Sequence, residues 1–215
     1  PFTQLNTPYP ATAYLKGFLN TKGITSFQAD LGIEVMTALF SKKGLLQLFE
    51  QIDIHTLQLT DNAKRIIALQ ENYVNTIDPV IQFLQGKNPT LAHLICKRDF
   101  LPEASRFVQL DDLNWAFGNM GTQDRAKHLA TMYLEDISDL IMECVDPHFG
   151  FSRYAERLAR SANSFDDLYK SLHAEYTYID KLLIDILSVR MSQTQPTLVA
   201  ISVPFPGNLY AALRC

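Results

Sequence analysis

The residue types that support catalysis or metal binding are concentrated in one short run, Asp146-Pro147-His148-Phe149-Gly150. An aspartate close to a histidine can fix the tautomer of the imidazole and orient the ring toward a metal ion. The alternative is a turn between two helices, because Pro147 stops a helix and Gly150 permits a sharp backbone reversal. The turn is favoured, since proline and glycine already account for the run, and Asp146 and His148 stay the candidate ligand-binding pair.

Two proline-containing loops near the ends of the chain are the other candidate ligand-binding features. Each loop leads into a helix, and the second follows an apolar run. In a parallel α/β sheet, ligands bind at the carboxyl ends of the strands, so we expect these loops to face a ligand. The residues concerned are Pro8, Tyr9, Pro10, Asp30, Pro204, Phe205, Pro206, Gly207 and Asn208.

Three of these features have alternative interpretations. Asp30 follows a predicted strand, and its carboxylate either meets a ligand at the sheet edge or caps the next helix, with the cap favoured. Residues 204–208 either contact a ligand or form a rigid turn that packs two elements together. Asn208 has the residue type that caps a helix, and the N–H groups behind it suit an anion.

The apolar pattern predicts a helix-rich α/β fold with a partial, Rossmann-like parallel sheet. A helix over about 11–21, ended by Gly23, precedes a short predicted strand over 24–31. Residues 197–203 form a continuous β-branched run, typical of a strand buried on both faces. The expected organisation is a Rossmann-like portion made of 1–31 and 197–215, cut at both ends, and a helical insertion over 32–196.

Within the insertion, the spacing of apolar residues predicts amphipathic helices. Short helices are expected near 32–40 and 45–49, and longer ones over 61–84 and 123–145. Pro79 is expected to bend or split the 61–84 helix at Asp78, because proline cannot donate the helical hydrogen bond. Ser164 and Asp167 have the spacing of a capping box and predict a further helix that continues to Leu187.

Composition excludes several classes of function. With 19 basic and 23 acidic residues the net charge is -4, which argues against a nucleic-acid-binding surface.

No apolar stretch is long enough to predict a membrane span, and the three cysteines match neither a CxxC motif nor a disulfide framework. The dinucleotide, P-loop, GxSxG and HExxH motifs are missing from the sequence. A cytoplasmic protein without a metal site is expected.

The sequence resembles the N-terminal, cobalamin-binding-like region of radical S-adenosylmethionine (SAM) proteins, in a subgroup with a helical insertion. The resemblance is carried by Pro8-Tyr9-Pro10, Tyr14-Leu15, Gly23 and Asp30-Leu31. It continues in 126–136, 146–156 and 202–208 and so spans most of the chain. The family implies a Rossmann-like domain followed by a catalytic barrel, whose CxxxCxxC motif holds a 4Fe-4S cluster that cleaves SAM. This sequence lacks CxxxCxxC, and Asp146 and His148 match only the first half of the family's DxHxxG cobalamin motif.

The resemblance implies an accessory or substrate-recognition domain of a radical SAM enzyme that is not catalytic by itself. Its expected partner is the catalytic barrel of the same parent chain, acting on an unidentified substrate, with no cofactor held in this part. Two alternatives stay open. One is a helical protein-interaction module, which predicts an exposed apolar patch on helices 61–84 or 165–190. The other is a cobalamin-binding module with His148 as the lower ligand.

Overall fold

The computed structural model describes residues 8–53, 58–108, 121–147, 149–150, 165–204 and 208–215, and every regular element within these ranges is a helix. The helices are α1 (Pro10–Thr21), α2 (Leu31–Leu39), α3 (Lys42–Glu50), α4 (Asp61–Ala68), α5 (Gln70–Leu84), α6 (Leu91–Cys96), α7 (Thr122–Cys144), α8 (Asp166–His173), α9 (Tyr178–Thr194) and α10 (Leu209–Arg214). One turn of 3-10 helix covers Ser105–Phe107.

The predicted Rossmann-like parallel sheet is wrong, because the described residues contain no strand. Residues 24–30 and 198–204 are irregular, and the backbone hydrogen bonds observed for 24–30 go only to the adjoining helices, from Ile24 to Leu19 and from Glu34 to Asp30. A parallel strand is stabilised by neighbours that cover both of its faces. Leu198 is instead 83% exposed and its neighbour Val199 is 49% exposed. Neighbouring residues of a strand point to opposite faces, so neither face of this segment is covered. The β-branched composition alone therefore does not produce a strand here.

The chain divides into two compact units, one made of residues 1–36 and 148–215 and the other of 37–147. In the second unit α7 is the central helix, and α4, α6 and the 3-10 turn pack on it, while α3 packs on α5. The predicted stripe of α7 is confirmed, because Leu129, Tyr133, Ile137 and Leu140 are all buried. The predicted boundaries of the insertion, at residues 31/32 and 196/197, stay a prediction.

The predicted 61–84 helix is present but divided at another place. It ends as α4 at Ala68 and resumes as α5 at Gln70, and α5 runs through Pro79. A proline inside a helix costs about 3 kcal/mol, and burying one aliphatic side chain contributes about 1.5–3 kcal/mol. The buried Ile77, Val80 and Ile81 beside Pro79 outweigh that cost.

In the first unit α10 packs on α8 and α9. The sequence predicted one helix from the 164–167 capping box to Leu187, and this is wrong, because α8 ends at His173 and α9 begins at Tyr178. Thr177 forms a capping box with Asp180 at the start of α9. Ser164 lies outside the described residues.

Candidate functional site

The N-terminal loop and Asp30, which the sequence predicted to face a ligand, are joined by a hydrogen bond. The Tyr9 N–H donates to Oδ2 of Asp30 at 3.3 Å, directly before Pro10 opens α1. The other carboxylate oxygen, Oδ1, accepts the Ile33 N–H at 3.1 Å and so caps α2. The cap interpretation of Asp30 is therefore confirmed. Because both oxygens already accept backbone N–H groups, Asp30 connects the starts of two helices.

The C-terminal loop is only partly within the described residues. Pro204 and Asn208 are described, whereas Phe205, Pro206 and Gly207 lie outside that part of the chain. The predicted cap by Asn208 is wrong, because its side chain makes no capping bond to α10 and its φ of -90° and ψ of -11° are helical. A capping side chain requires an extended backbone to reach the N–H groups behind it. The Asn208 Oδ1 atom is shielded from solvent and has no hydrogen-bond partner among the described residues.

The Asp146 run lies at the end of α7. Asp146 is buried, and its N–H donates to the Ile141 carbonyl oxygen at 2.9 Å, which closes the helix end. His148 lies outside the described residues, so its pairing with Asp146 stays a prediction. Elsewhere in the described ranges no three acidic, histidine or cysteine side chains are grouped so as to hold a metal ion.

A densely bonded polar cluster in the described part of the first unit involves Arg214, which the sequence analysis did not select. The Arg214 side chain is 5% exposed and that of Asp180 is 1% exposed, with Nε and Oδ2 separated by 3.3 Å. Tyr210 Oη lies between them, accepting from Arg214 Nε at 2.9 Å and donating to Asp180 Oδ2 at 2.8 Å. The Thr177 N–H donates to the same carboxylate oxygen at 3.2 Å. This cluster therefore joins α10 to the first turn of α9.

Arg214 also ends α8. Its guanidinium stacks over the Tyr176 ring, with Cζ 4.6 Å from the ring centroid. Cations are stabilising at the carbonyl end of a helix, where backbone acceptors have no helical partner. The guanidinium N–H groups donate at 2.9–3.1 Å to the carbonyl oxygens of Ser171, Leu172 and Ala174.

The bonds of this cluster hold the ends of three helices together. Burial, followed by the hydrogen bond to Asp180, raises the pKa of Tyr210 to about 12, although the Arg214 hydrogen bond opposes the shift. Burial works to lower the pKa of Arg214, but its bond to Tyr210 and the charge of Asp180 outweigh it and raise that pKa. The phenol and the guanidinium therefore both keep their protons near neutral pH.

A second polar centre lies on α7 in the other unit. Asp136 is 0% exposed, and its two oxygens accept the Ala104 N–H at 3.0 Å and the Arg106 N–H at 3.1 Å. Burial raises the pKa of Asp136 to about 6, against the lowering effect of these two backbone bonds. The sequence carried a signal, because Asp136 takes an apolar position on the buried stripe, three residues after Tyr133 and four before Leu140.

Two stacked tyrosines cross from α5 to α7. The rings of Tyr73 and Tyr133 have centroids 5.2 Å apart, and Tyr133 Oη lies 3.0 Å from both the Tyr73 carbonyl oxygen and Thr76 Oγ1. The Tyr73 hydroxyl is buried without a hydrogen-bond partner in the described residues. Burial, followed by the charge of Asp136, raises the pKa of Tyr73. Burial likewise raises the pKa of Tyr133. Both phenols therefore stay neutral, and their rings pack in the core.

Exposed apolar side chains are concentrated in the first unit. None of the side chains of α1 is buried, and its Phe18 is 59% exposed. A helix that presents apolar residues on an uncovered face is typical of a binding surface. Three of the exposed side chains, Tyr14, Leu15 and Phe18, lie on α1 and are here called the uncovered apolar surface. Other exposed apolar residues of this unit include Ile24, Phe27, Leu198, Val199, Ile201 and Val203.

Comparison with known proteins gives no relationship to argue from, because the chain matches no protein-family model, no curated protein and no solved structure. None of the helices in the described ranges combines the length and the apolar content that a membrane span requires.

Proposed function

We propose that this chain is the non-catalytic recognition part of a radical SAM enzyme and that it docks through its uncovered apolar surface. The observation that carries the proposal is α1, a twelve-residue helix with no buried side chain and with Tyr14, Leu15 and Phe18 exposed. Such a helix gains little from packing within its own unit, and packing is what stabilises most short helices. A partner that covers this face would supply the missing burial.

The partner proposed is the catalytic barrel that the resemblance implies. Pro8-Tyr9-Pro10 and Asp30, which carry part of the resemblance, are hydrogen-bonded to each other at the start of α1. They fix where the apolar helix begins relative to α2, and this supports a docking role for the loop in place of direct ligand contact.

The first test is the complete polypeptide that contains this chain. It is expected to carry CxxxCxxC and, after anaerobic reconstitution with iron and sulfide and reduction with dithionite, to cleave SAM to methionine and 5′-deoxyadenosine. A complete polypeptide without that motif would contradict the assignment to radical SAM chemistry.

The second test measures docking through stability. In the 215-residue chain, Leu15→Ser and Phe18→Ser are expected to change the free energy of unfolding by less than about 0.5 kcal/mol, as exposed positions do. In the complete polypeptide each is expected to cost about 1.5–3 kcal/mol, because a docked side chain is buried. Leu46→Ser, on the exposed face of α3, is the control and should have little effect in either protein. Equal costs in the two proteins would refute docking by α1.

A protein-interaction module without enzymatic chemistry is the second candidate. One of its two predicted patches is covered, because α4 and α5 expose no large apolar side chain. The second predicted patch, on 165–190, is supported by two exposed rings at the start of α8. Phe165 and Tyr169 are both more than half exposed, and their ring centroids lie 6.1 Å apart. Loss of partner binding by Tyr169→Ser, in a complete polypeptide without CxxxCxxC, would favour this candidate.

A further inference from the structure

Residues 101–108, here called the clamped segment, lie against Asp136. Three consecutive N–H groups of this segment are held by side chains of other helices. Asp136 accepts those of Ala104 and Arg106, and Asn62 Oδ1 on α4 accepts that of Ser105 at 3.0 Å. Ala104 and Phe107 are themselves buried. The clamped segment is therefore part of the cover that excludes water from the carboxylate.

Asp136 has no cation paired with it in the described residues. The Arg106 guanidinium instead binds Asp139 through two hydrogen bonds of 2.7 Å, and its Nη1 lies 3.6 Å from Glu135. Arg98 is likewise paired with Glu103, at 2.7 Å. A buried carboxylate with no counter-ion is costly to keep ionised, and the two backbone N–H groups offset only part of that cost.

Three other helices of this unit, α4, α5 and α6, also carry charged or titratable groups. Tyr73 of α5 interacts electrostatically with Asp136, and Arg65 of α4 acts on Tyr73 while its Nε donates to the Glu103 carbonyl oxygen at 2.7 Å. On α6, Cys96 lies at the other end of α7, where its Sγ donates to the Thr122 carbonyl oxygen at 3.4 Å. None of these forms an ion pair with Asp136.

We propose that closure of the clamped segment over α7 is coupled to a proton on Asp136, so that the protonated protein holds the segment more firmly than the ionised one. When the segment opens, water reaches the carboxylate and removes the desolvation cost of its charge. The proton is therefore bound more tightly in the closed state. By linkage, acid favours closure.

The size and sign of the effect follow from the two states of Asp136. Burial raises the pKa of the closed state to about 6, and the open, hydrated carboxyl returns toward its ordinary value of 3.8. The closed state is therefore stabilised relative to the open state as the pH falls through about 6, and this stabilisation is complete below about pH 4. Between about pH 7.5 and about pH 5 the closing equilibrium is expected to strengthen about tenfold.

Hydrogen exchange of single amides tests this directly. After correction for the intrinsic exchange rate, the protection of the Ala104 and Arg106 amides is expected to rise about tenfold from about pH 7.5 to about pH 5. The Lys42 amide, which donates to Asp78 Oδ1 at 2.8 Å, is the internal reference for opening elsewhere in the same unit. Protection that is equal at the two pH values, or that falls with acid, would overturn the proposal.

The variant Asp136→Asn tests whether ionisation of this side chain, and not its shape, causes the pH dependence. Asparagine cannot ionise, so the protection of both amides is expected to lose its pH dependence, although one of the two bonds is lost with the second acceptor oxygen. Asp139→Asn is the matched control and should keep the dependence. If Asp136→Asn does not fold, the carboxyl carbon shift of Asp136 in the unaltered protein decides, since a midpoint near 4 instead of about 6 would also overturn the proposal.

Discussion

The structure predicts that Arg214 stabilises the first unit far more than Arg190 does, although both are paired with a carboxylate. Arg190 Nε lies 3.0 Å from Glu34 Oε2, closer than the 3.3 Å between Arg214 Nε and Asp180 Oδ2. Distance alone therefore ranks the Arg190 pair first. Burial reverses the order, because the Arg190 side chain is 49% exposed and that of Arg214 is 5% exposed.

The magnitudes follow from what each substitution leaves behind. Arg214→Met keeps the apolar length of the side chain but leaves Asp180 buried without its cation and three helix-end carbonyl oxygens without donors. Removing one partner of a buried pair costs about 3–5 kcal/mol. Arg190→Met breaks an exposed pair that water and salt already screen, so little or no measurable cost is expected.

Chemical unfolding followed by far-ultraviolet circular dichroism measures both costs, fitted with a separate transition for each unit if two are seen. The double variant Arg214→Met with Asp180→Asn is expected to be less destabilised than the sum of the two single variants, because the uncompensated charge is removed. A cost of Arg214→Met no larger than that of Arg190→Met would refute the reasoning that burial decides.

Two further pairs of substitutions compare matched sites by the free energy of unfolding. Tyr133→Phe is expected to cost about 1 kcal/mol, because its hydroxyl bonds to the Tyr73 carbonyl oxygen and Thr76. Tyr73→Phe is expected to be neutral or stabilising, since it removes a buried hydroxyl without a partner in the described residues, and a loss above about 1 kcal/mol would indicate a bound water. Gly44→Ala is expected to cost about 1–3 kcal/mol, because its Cβ would overlap two carbonyl oxygens at the end of α2. Gly17→Ala on α1, where a Cβ meets nothing within 4 Å, is expected to stabilise by about 0.5–1 kcal/mol, and a loss there would show that the α1 surface is covered.

The local signals in the sequence predicted most helices at their observed places. Gly23 ends α1 as expected, with a φ of +68° and with its own N–H and that of Ile24 bonded to the Asn20 and Leu19 carbonyl oxygens. The stripe of α7 and the cap by Asp30 were likewise readable, because each depends on residues within one or two helical turns. The Thr177–Asp180 capping box is an equally local signal for the start of α9, whereas the continuous apolar spacing predicts one helix across it.

The candidate sites were less predictable. Asn208 has the residue type of a cap, but its backbone is helical, so residue type did not decide its role. Arg214 looked like an ordinary basic residue near the end of a helix. Its importance arises because packing brings it to Asp180, thirty-four positions earlier in the chain, and excludes water from both.

Periodicity, caps and glycine turns act within a few residues, so local sequence is enough to specify most of the helices and their apolar faces. The packing of the whole chain leaves 24–30 and 198–204 without strand structure, since a strand depends on neighbours that local sequence does not specify. It also decided which polar residues are buried. Asp136, Asp180 and Arg214 owe their properties to water excluded by distant parts of the chain, and no local pattern measures that exclusion.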